Sequence, residues 1–539
     1  MSPSLTSAEV ISLTKQHNYG TWRKQKNWNP SHLVSADGCH FTDGNGKRFL
    51  DFAAQLICMN LGHNNAAVIK AIQDQAATLA YAAPFYATNA RAELSQLLTE
   101  VLPEGLTKFF FTTSGTDANE AAFKIARMYT GKTKIITRYR SYHGSTGSSI
   151  AATGDPRRWA MEPGGKGPGV IFSPEVNCYK CPIKHTYPTC GIACADYLEH
   201  MIANEGDVAA VLVEPVVGTN GVLIPPLEYF PKLRKICDDH GVLLIADEVM
   251  SGWGRTGKWF AVDHWDVKPD ILTTAKGITS AYMPLGLCAT TQKIADHFEE
   301  NYFAHGHTYE AHPMTLAPAV ATIHEMRRLN LIERSNEMGA YLGEKLHALK
   351  AKHPSIGDVR GIGLFWAVEL VKDQQKKDPF NTWQEKLDGS PMVVEQIAAK
   401  MAARGVMIMA WMSHFVLAPP LIVNHAEIDE AVAALDEALA FADALLEPAL
   451  ATVQQLFRTS NLLAEDPTAE IYETFQLPAS FVLRCQHGSR ADDDAHACGL
   501  SAGAAGRGSR QLAAFHQDQQ PRSQQVFRSG NGLSLRLQP

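Results

Sequence analysis

Between Lys108 and Thr274 the chain alternates short, continuously apolar runs with longer stretches of helical spacing. The runs are KFFFTT (108–113), KIIT (134–137), VIF (170–172), AAVLV (209–213), VLLI (242–245) and ILTT (271–274). After the first, residues 117–128 carry Ala121, Ala122, Ile125 and Ala126 at helical spacing, and residues 225–240 form a second helical stretch between later runs. A strand that is apolar on both faces must be covered on both faces. Such strands alternating with helices predict an α/β fold, a mostly parallel sheet covered by helices.

Beyond about Tyr302 the pattern changes. Residues 314–329 and 332–352 read as long helices, 360–370 as one strand and 393–404 as a helix. Residues 406–421 read as two strands around a turn, and 428–446 as an amphipathic helix. This is a smaller α+β unit. Residues 32–51 carry hairpin signals at Ala36-Asp37-Gly38 and Gly44-Asn45-Gly46 and are expected to join it. The expected division places 1–70 with the small unit, 71–320 in a large domain, 321–446 in the small domain and 447–539 in an extension. From about Arg484 the chain is rich in Gln, Arg, Ser, Gly and Ala without periodicity, which predicts disorder.

A net charge of −7 argues against nucleic acid as a partner. No apolar run reaches bilayer-spanning length, so no membrane partner is expected. Residues 1–20 lack the basic and apolar regions of a secretory leader, and a cytoplasmic location is expected.

The ends of the apolar runs carry the chemistry. VLLI leads into Asp247 and Glu248; ILTT leads to Lys276, set against Gly277. A lysine to form a Schiff base with an aldehyde, and a carboxylate to keep a pyridine nitrogen protonated, are what pyridoxal 5'-phosphate requires. Ser114-Gly115-Thr116, between a strand and a helix, suits a phosphate, although the same residues also read as a plain helix cap. Tyr142, in Tyr142-His143-Gly144, can stack on a flat ring or serve as an ordinary loop contact. Val249 reads as packing on the opposite ring face or as core. Asp247 alone reads equally as a cap or ion-pair partner, and Lys276 alone as a solvated lysine. Their order is more specific: phosphate turn, aromatic, carboxylate, lysine, each at a strand end of one sheet. Open α/β sheets bind ligands at that edge.

These residues carry a family resemblance. FFFTTSGTDANEAAFKIAR (109–127), RYRSYHGST (138–146), VEPVVG (213–218), LLIADEVMSGWGRTG (243–257), AKG (275–277) and HGHTYEAHP (305–313) resemble the class III aminotransferases, pyridoxal phosphate enzymes of fold type I. The resemblance runs from about Tyr19 to Ala442. It implies that Lys276 bonds the cofactor and shuttles the proton, and that Asp247 pairs with the ring nitrogen. Ser114, Gly115 and Thr116 would hold the phosphate. Tyr142 and Val249 would flank the ring, with Glu214 on the substrate side. Thr308 matches a threonine lent to the partner subunit's phosphate, which implies a homodimer with shared sites.

The run continuing through TGDPRRW (153–159), with Trp411 before Pro419-Pro420, most resembles the taurine aminotransferases. The implied reaction moves an amino group from taurine, β-alanine or a similar small ω-amine to a 2-oxo acid, pyruvate or 2-oxoglutarate. The arginine that many relatives carry before this Pro-Pro falls on Val416. Arg157, Arg158 and His414 are the remaining candidates for the substrate's anionic end; each also reads as a surface salt bridge or a structural hydrogen bond. A lyase acting on an amino-alcohol or aminophosphonate would use the same lysine and carboxylate.

Most cysteines sit in apolar surroundings, as Cys58, Cys237 and Cys288 do, and are expected to be reduced and buried. Cys178, Cys181, Cys190 and Cys194, with His185 between them, have the look of a metal knuckle. The irregular second spacing favours a loop of free thiols, and no metal is expected.

Overall fold

The computed structural model describes residues 5–164 and 169–446. The extension expected from 447, with its disordered stretch, lies outside the described residues. Seven strands form the central sheet: β1 (Leu106–Thr112), β2 (Lys134–Arg138), β3 (Val170–Ser173), β4 (Val208–Val213), β5 (Leu243–Asp247), β6 (Ile271–Thr274) and β7 (Gly286–Thr291). Their order across the sheet is β1-β7-β6-β5-β4-β2-β3. β7 is antiparallel to both of its neighbours, and every other pairing is parallel. The apolar-run reading therefore has the fold class right and omits one strand, β7.

The strands are apolar throughout because helices cover both faces. Ile135, Leu212 and Ile245 pack with Ala121, Ala122, Phe123 and Ile125 of helix α1 (Gly115–Thr130). Their chain neighbours Ile136, Val211, Val213 and Leu244 turn the other way, onto Phe230, Leu233 and Ile236 of helix α2 (Tyr229–His240). All of these side chains are buried, and each buried Val, Leu, Ile or Phe contributes about 1.5–3 kcal/mol. Ser114 caps the start of α1, accepting from the Asp117 N–H at 3.3 Å, and Gly131 ends it at φ +67°. Because the major strands run one way, Ser114, Glu214, Asp247 and Lys276 all emerge at one edge of the sheet.

Two smaller sheets complete the described chain. Leu33–Asp37, His40–Asp43 and Arg48–Asp51 form consecutive hairpins, turning at Gly38 and Gly46, and Val406–Met407 adds in parallel beside Arg48–Asp51. That parallel pair ties the N-terminal hairpins to the C-terminal segment. The other sheet runs Ile356–Ile362, Phe365–Leu370, His414–Leu417, Met409–Trp411, all antiparallel. Residues 360–370 are thus not one strand but parts of two. The chain turns at Gly363, φ +56°, where any side chain would strike the backbone of Thr256 and Gly257. Val416 is fully buried on its strand, opposite Ala367 and Met409. Among the described residues no helix is long and apolar enough to cross a membrane.

Helix α3 (Leu331–Lys352) packs onto that turn through Gly339, whose missing Cβ would stand 2.0 Å from the Gly363 carbonyl oxygen. Gly339→Ala is expected to destabilise the protein by about 1–3 kcal/mol, since backbone and not a flexible side chain must give way. Urea denaturation of the variant beside wild type measures this.

Candidate active site

β6 ends at Thr274, and Lys276 opens a short 3-10 turn, Lys276–Thr279, with φ +48°. A non-glycine residue held there costs about 1–3 kcal/mol. The turn is closed by hydrogen bonds from Ile278 N to Ala275 O, Ser280 N to Gly277 O and Ala281 N to Lys276 O, at 3.0–3.1 Å. Gly277 is required beside it, because a Cβ would meet Trp253 at 2.6 Å and Asn60 at 2.7 Å. Lys276 thereby projects into a cavity of about 500 Å³. Enclosure drives its amine below the ordinary lysine range, and the positive charge of Arg157 pushes the same way; Cys58, Asp247 and Glu214 oppose.

Asp247, the last residue of β5, is buried and fully engaged on one side. Its Oδ2 meets His143 Nδ1 at 2.7 Å and accepts from Asn119 Nδ2 at 2.9 Å; its Oδ1 accepts from the Val249 N–H at 3.0 Å. A carboxylate has about four acceptor positions, so Oδ1 retains room for one more donor. Glu214, which follows β4, accepts from the Tyr142 N–H at 3.0 Å and the Gly218 N–H at 2.8 Å. Burial raises its carboxyl above the usual range.

At the N-terminus of α1, a Cβ on Gly115 would stand 2.7 Å from Val249 Cγ1. The position is glycine because Val249 lies against it. Thr116 Oγ1 accepts from the Ser145 N–H at 3.2 Å and lies 2.9 Å from Thr146 Oγ1.

Of the nine residues singled out from sequence, Ser114, Gly115, Thr116, Tyr142, Glu214, Asp247, Val249 and Lys276 line this one cavity. Thr308 is not among its lining residues; it is exposed, and its carbonyl accepts from Tyr81 Oη at 3.0 Å. Ser114 is both cavity wall and helix cap. The structure also brings in Asn119, His143 and Cys58, which sequence reasoning passed over. Asn119 had a readable signal, standing one turn along α1 from Gly115, and His143 lay inside a motif already quoted.

The three candidates for a substrate anion separate clearly. Arg157 is held by buried Asp155, with Nε 2.8 Å from Oδ2, and its guanidinium lies 3.8 Å from the Tyr142 ring centre and 4.7 Å from that of Trp411. Trp22 closes the group, edge-on to Tyr142 at 6.2 Å. Arg158 turns instead onto Phe172, at 4.5 Å, and donates to the Gly154 carbonyl. His414 is buried and bonds the Thr219 carbonyl through Nε2 at 2.8 Å. Burial, aided by the charge of Arg140, pushes it down to about 4, so it carries no positive charge at neutral pH.

Cys178 is exposed, while Cys181, Cys190 and Cys194 are half-buried. Cys237 and Cys288 are buried as expected, and Cys58 is half-buried in the cavity wall. Among the described residues no group of three or more His, Cys, Asp or Glu side chains is arranged to hold a metal.

A lysine with a weakened proton hold, a carboxylate with a spare acceptor facing the same cavity and a helix N-terminus beside them fit pyridoxal 5'-phosphate. The family model for class-III aminotransferases matches residues 23–439, and the chain belongs to that family. It is a pyridoxal phosphate-dependent aminotransferase. It is 34% identical over 453 residues to the taurine–pyruvate aminotransferase of Bilophila wadsworthia, covering 80% of this chain and 97% of that one. It is also 34% identical over 416 residues to a leucine/methionine racemase of Thermococcus litoralis, covering 76% and 91%. Its structure resembles that of taurine:2-oxoglutarate aminotransferase from Bifidobacterium kashiwanohense, solved with PLP and glutamate. The TM-score is 0.78 at 36% identity, covering 82% of this chain and all of that one.

His414 makes the fold sensitive to acid. Its folded-state pKa, about 4, is depressed below the ordinary 6.5, so the unfolded chain binds the extra proton between those values. Stability is then complete above pH 6.5 and falls as the pH drops towards 4. About 2 kcal/mol is lost by pH 5. His414→Gln should retain a donor for Thr219 and lack this loss. Urea denaturation of cofactor-free protein at pH 8 and pH 5 should show a wild-type decline about 2 kcal/mol steeper than the variant's.

Proposed function

We propose that this aminotransferase takes its amino group from a small ω-amine with an anionic tail, taurine or a close ω-amino acid, and delivers it to a 2-oxo acid. The observation that carries this reading is Arg157. Its guanidinium lies over Tyr142 and its charge is felt at Lys276, while Val416, which takes the place of an arginine, is buried and apolar. Asp155 takes Nε and Nη2 of the guanidinium, which leaves Nη1 and the second proton of Nη2 to grip a sulfonate or carboxylate. The aromatic walls of Trp22, Tyr142 and Trp411 exclude water and strengthen that grip.

Pyridoxal phosphate supplies the aldehyde that takes up the amino group and the ring that draws electrons from the substrate's Cα. The chain's residues do the rest. Lys276 Nζ, whose hold on its proton burial weakens, would remove the proton from the substrate carbon that bears the nitrogen and return it to the former aldehyde carbon of the cofactor. Asp247 accepts the hydrogen bond of the ring nitrogen and keeps it protonated, with His143 and Asn119 fixing the carboxylate. Tyr142 and Val249 flank the ring, Ser114, Gly115 and Thr116 seat the phosphate, and Glu214 borders the substrate. Thr308, exposed and away from its own chain's cavity, serves the phosphate of a second copy, so the working unit is a homodimer.

A donor–acceptor screen tests the reading and separates it from racemase or lyase chemistry. Transfer requires a 2-oxo acid; racemisation and elimination do not. Lys276→Ala should lower turnover by at least about 10⁴-fold, and retention of a tenth of wild-type turnover would refute its role. Arg157→Gln should lower kcat/KM for taurine by roughly 10²-fold and leave propylamine, which has no anionic end, within about threefold. Equal losses for both amines would exclude Arg157 as the anion site.

A further inference from the structure

Glu120 has no place in the scheme above, yet it stands on α1 one turn beyond Thr116. A single one of its oxygens, Oε1, collects three donors: Thr146 Oγ1 at 2.7 Å, the Ser148 N–H at 2.8 Å and the Ser149 N–H at 2.9 Å. Those hydrogen bonds hold its carboxyl below the usual range although burial works against them, so at neutral pH it is an acceptor only. The direction of the next contact then follows. Thr146 has one hydroxyl proton and spends it on Glu120. In the 2.9 Å contact between Thr146 Oγ1 and Thr116 Oγ1, Thr116 must therefore be the donor. Thr116 Oγ1 in turn accepts from the Ser145 N–H at 3.2 Å and the Thr146 N–H at 3.4 Å. Gly144 lets this turn come in close, because a Cβ there would stand 2.1 Å from Thr116 Oγ1.

We infer that Glu120 is a positioning residue for the cofactor phosphate: it pins residues 144–149 to α1 and, through Thr146, ties down the Thr116 side chain, so that the backbone N–H groups of Gly115 and Thr116 at the start of α1 are held towards the phosphate. The inference rests on the proposed phosphate seat at Gly115 and Thr116. A negative charge this near a phosphate is repulsive in itself, so what Glu120 contributes is acceptor geometry. That distinction makes it testable. In Glu120→Gln the amide oxygen can stand at the Oε1 position and keep all three bonds while the charge is gone. In Glu120→Ala the bonds are gone as well.

The measurement is the dissociation constant of pyridoxal 5'-phosphate and of pyridoxal, which lacks the phosphate, by absorbance titration of the cofactor-free protein. Glu120→Ala should weaken pyridoxal 5'-phosphate about tenfold and change pyridoxal less than about twofold. Glu120→Gln should bind both within about twofold of wild type, or the phosphate form more tightly. Thr146→Val, which cuts only the hydroxyl chain, should weaken the phosphate form by about threefold, and decides the matter should Glu120→Ala not fold. Equal weakening of both ligands, no weakening of either, or Glu120→Gln behaving like Glu120→Ala overturns the inference. Thr116→Pro, which removes a backbone N–H from the first turn of α1, where proline is tolerated, separates the two levels. If it leaves the gap between the ligands unchanged, the phosphate seat itself is wrong and this inference falls with it. If it narrows the gap while Glu120→Ala does not, the seat stands and Glu120 has no part in it.

Discussion

The side chain of Asn119 holds the active edge of the sheet together. Its amide nitrogen donates to the His143 carbonyl and to Asp247 Oδ2, and its oxygen accepts from Thr273 Oγ1 at 2.7 Å. One buried residue of α1 thus joins the loop after β2, the end of β5 and the body of β6. Each of these contacts lies away from water, where a missing partner costs more than a made bond contributes. The positions of Asp247 and His143 are consequently not independent. A shift in one strand end would orphan a polar atom at another, so the network settles in a single arrangement.

A second set of contacts carries this order to the substrate side. Residues 218–221 are gripped one after another: the Gly218 N–H by Glu214, the Thr219 carbonyl by His414, the Asn220 carbonyl by Arg140 and the Gly221 carbonyl by Arg360. His414 and Arg360 belong to the small antiparallel sheet. Asn220 then donates to Asp155, which holds Arg157. The direction in which Arg157 faces is therefore set by the packing of the C-terminal segment.

What the sequence made legible follows from how local each signal is. The strands could be read because a strand buried on both faces must be apolar at every position, as β4 is. The line-up of Ser114, Tyr142, Asp247 and Lys276 could be read because each sits at the end of such a strand or within a few residues of it. β7 escaped notice because its residues, GLCATT, are small and mixed, and it is buried by pairing as much as by side-chain bulk. The hairpin at Gly363 was missed because its turn is dictated by contacts from Thr256 and Gly339, more than a hundred and about two dozen positions away in the chain. The choice of Arg157 over Arg158 and His414 was beyond the sequence for the same reason. Neighbouring arginines differ only in which partner each finds, Asp155 and Tyr142 for one, Phe172 for the other.

The charges around Lys276 show which physical effect governs the site. Asp247 and Glu214 both act to keep the lysine protonated, and His143 acts to keep Glu214 ionised. If pairing ruled, the amine would sit above its ordinary range and the carboxyl below it. Both are displaced the other way, and in each case burial is the largest cause. The same holds for His414, driven to its neutral form in spite of Glu369. Exclusion of water thus sets the direction of each shift, and the charged neighbours moderate it. The packing that shuts water out, Trp253 against Gly277 and Val249 against Gly115, belongs to the chemistry as much as the lysine does. A site tuned by pairing would tolerate a wetter wall; here an opened wall would let the Lys276 amine rise back towards its ordinary range.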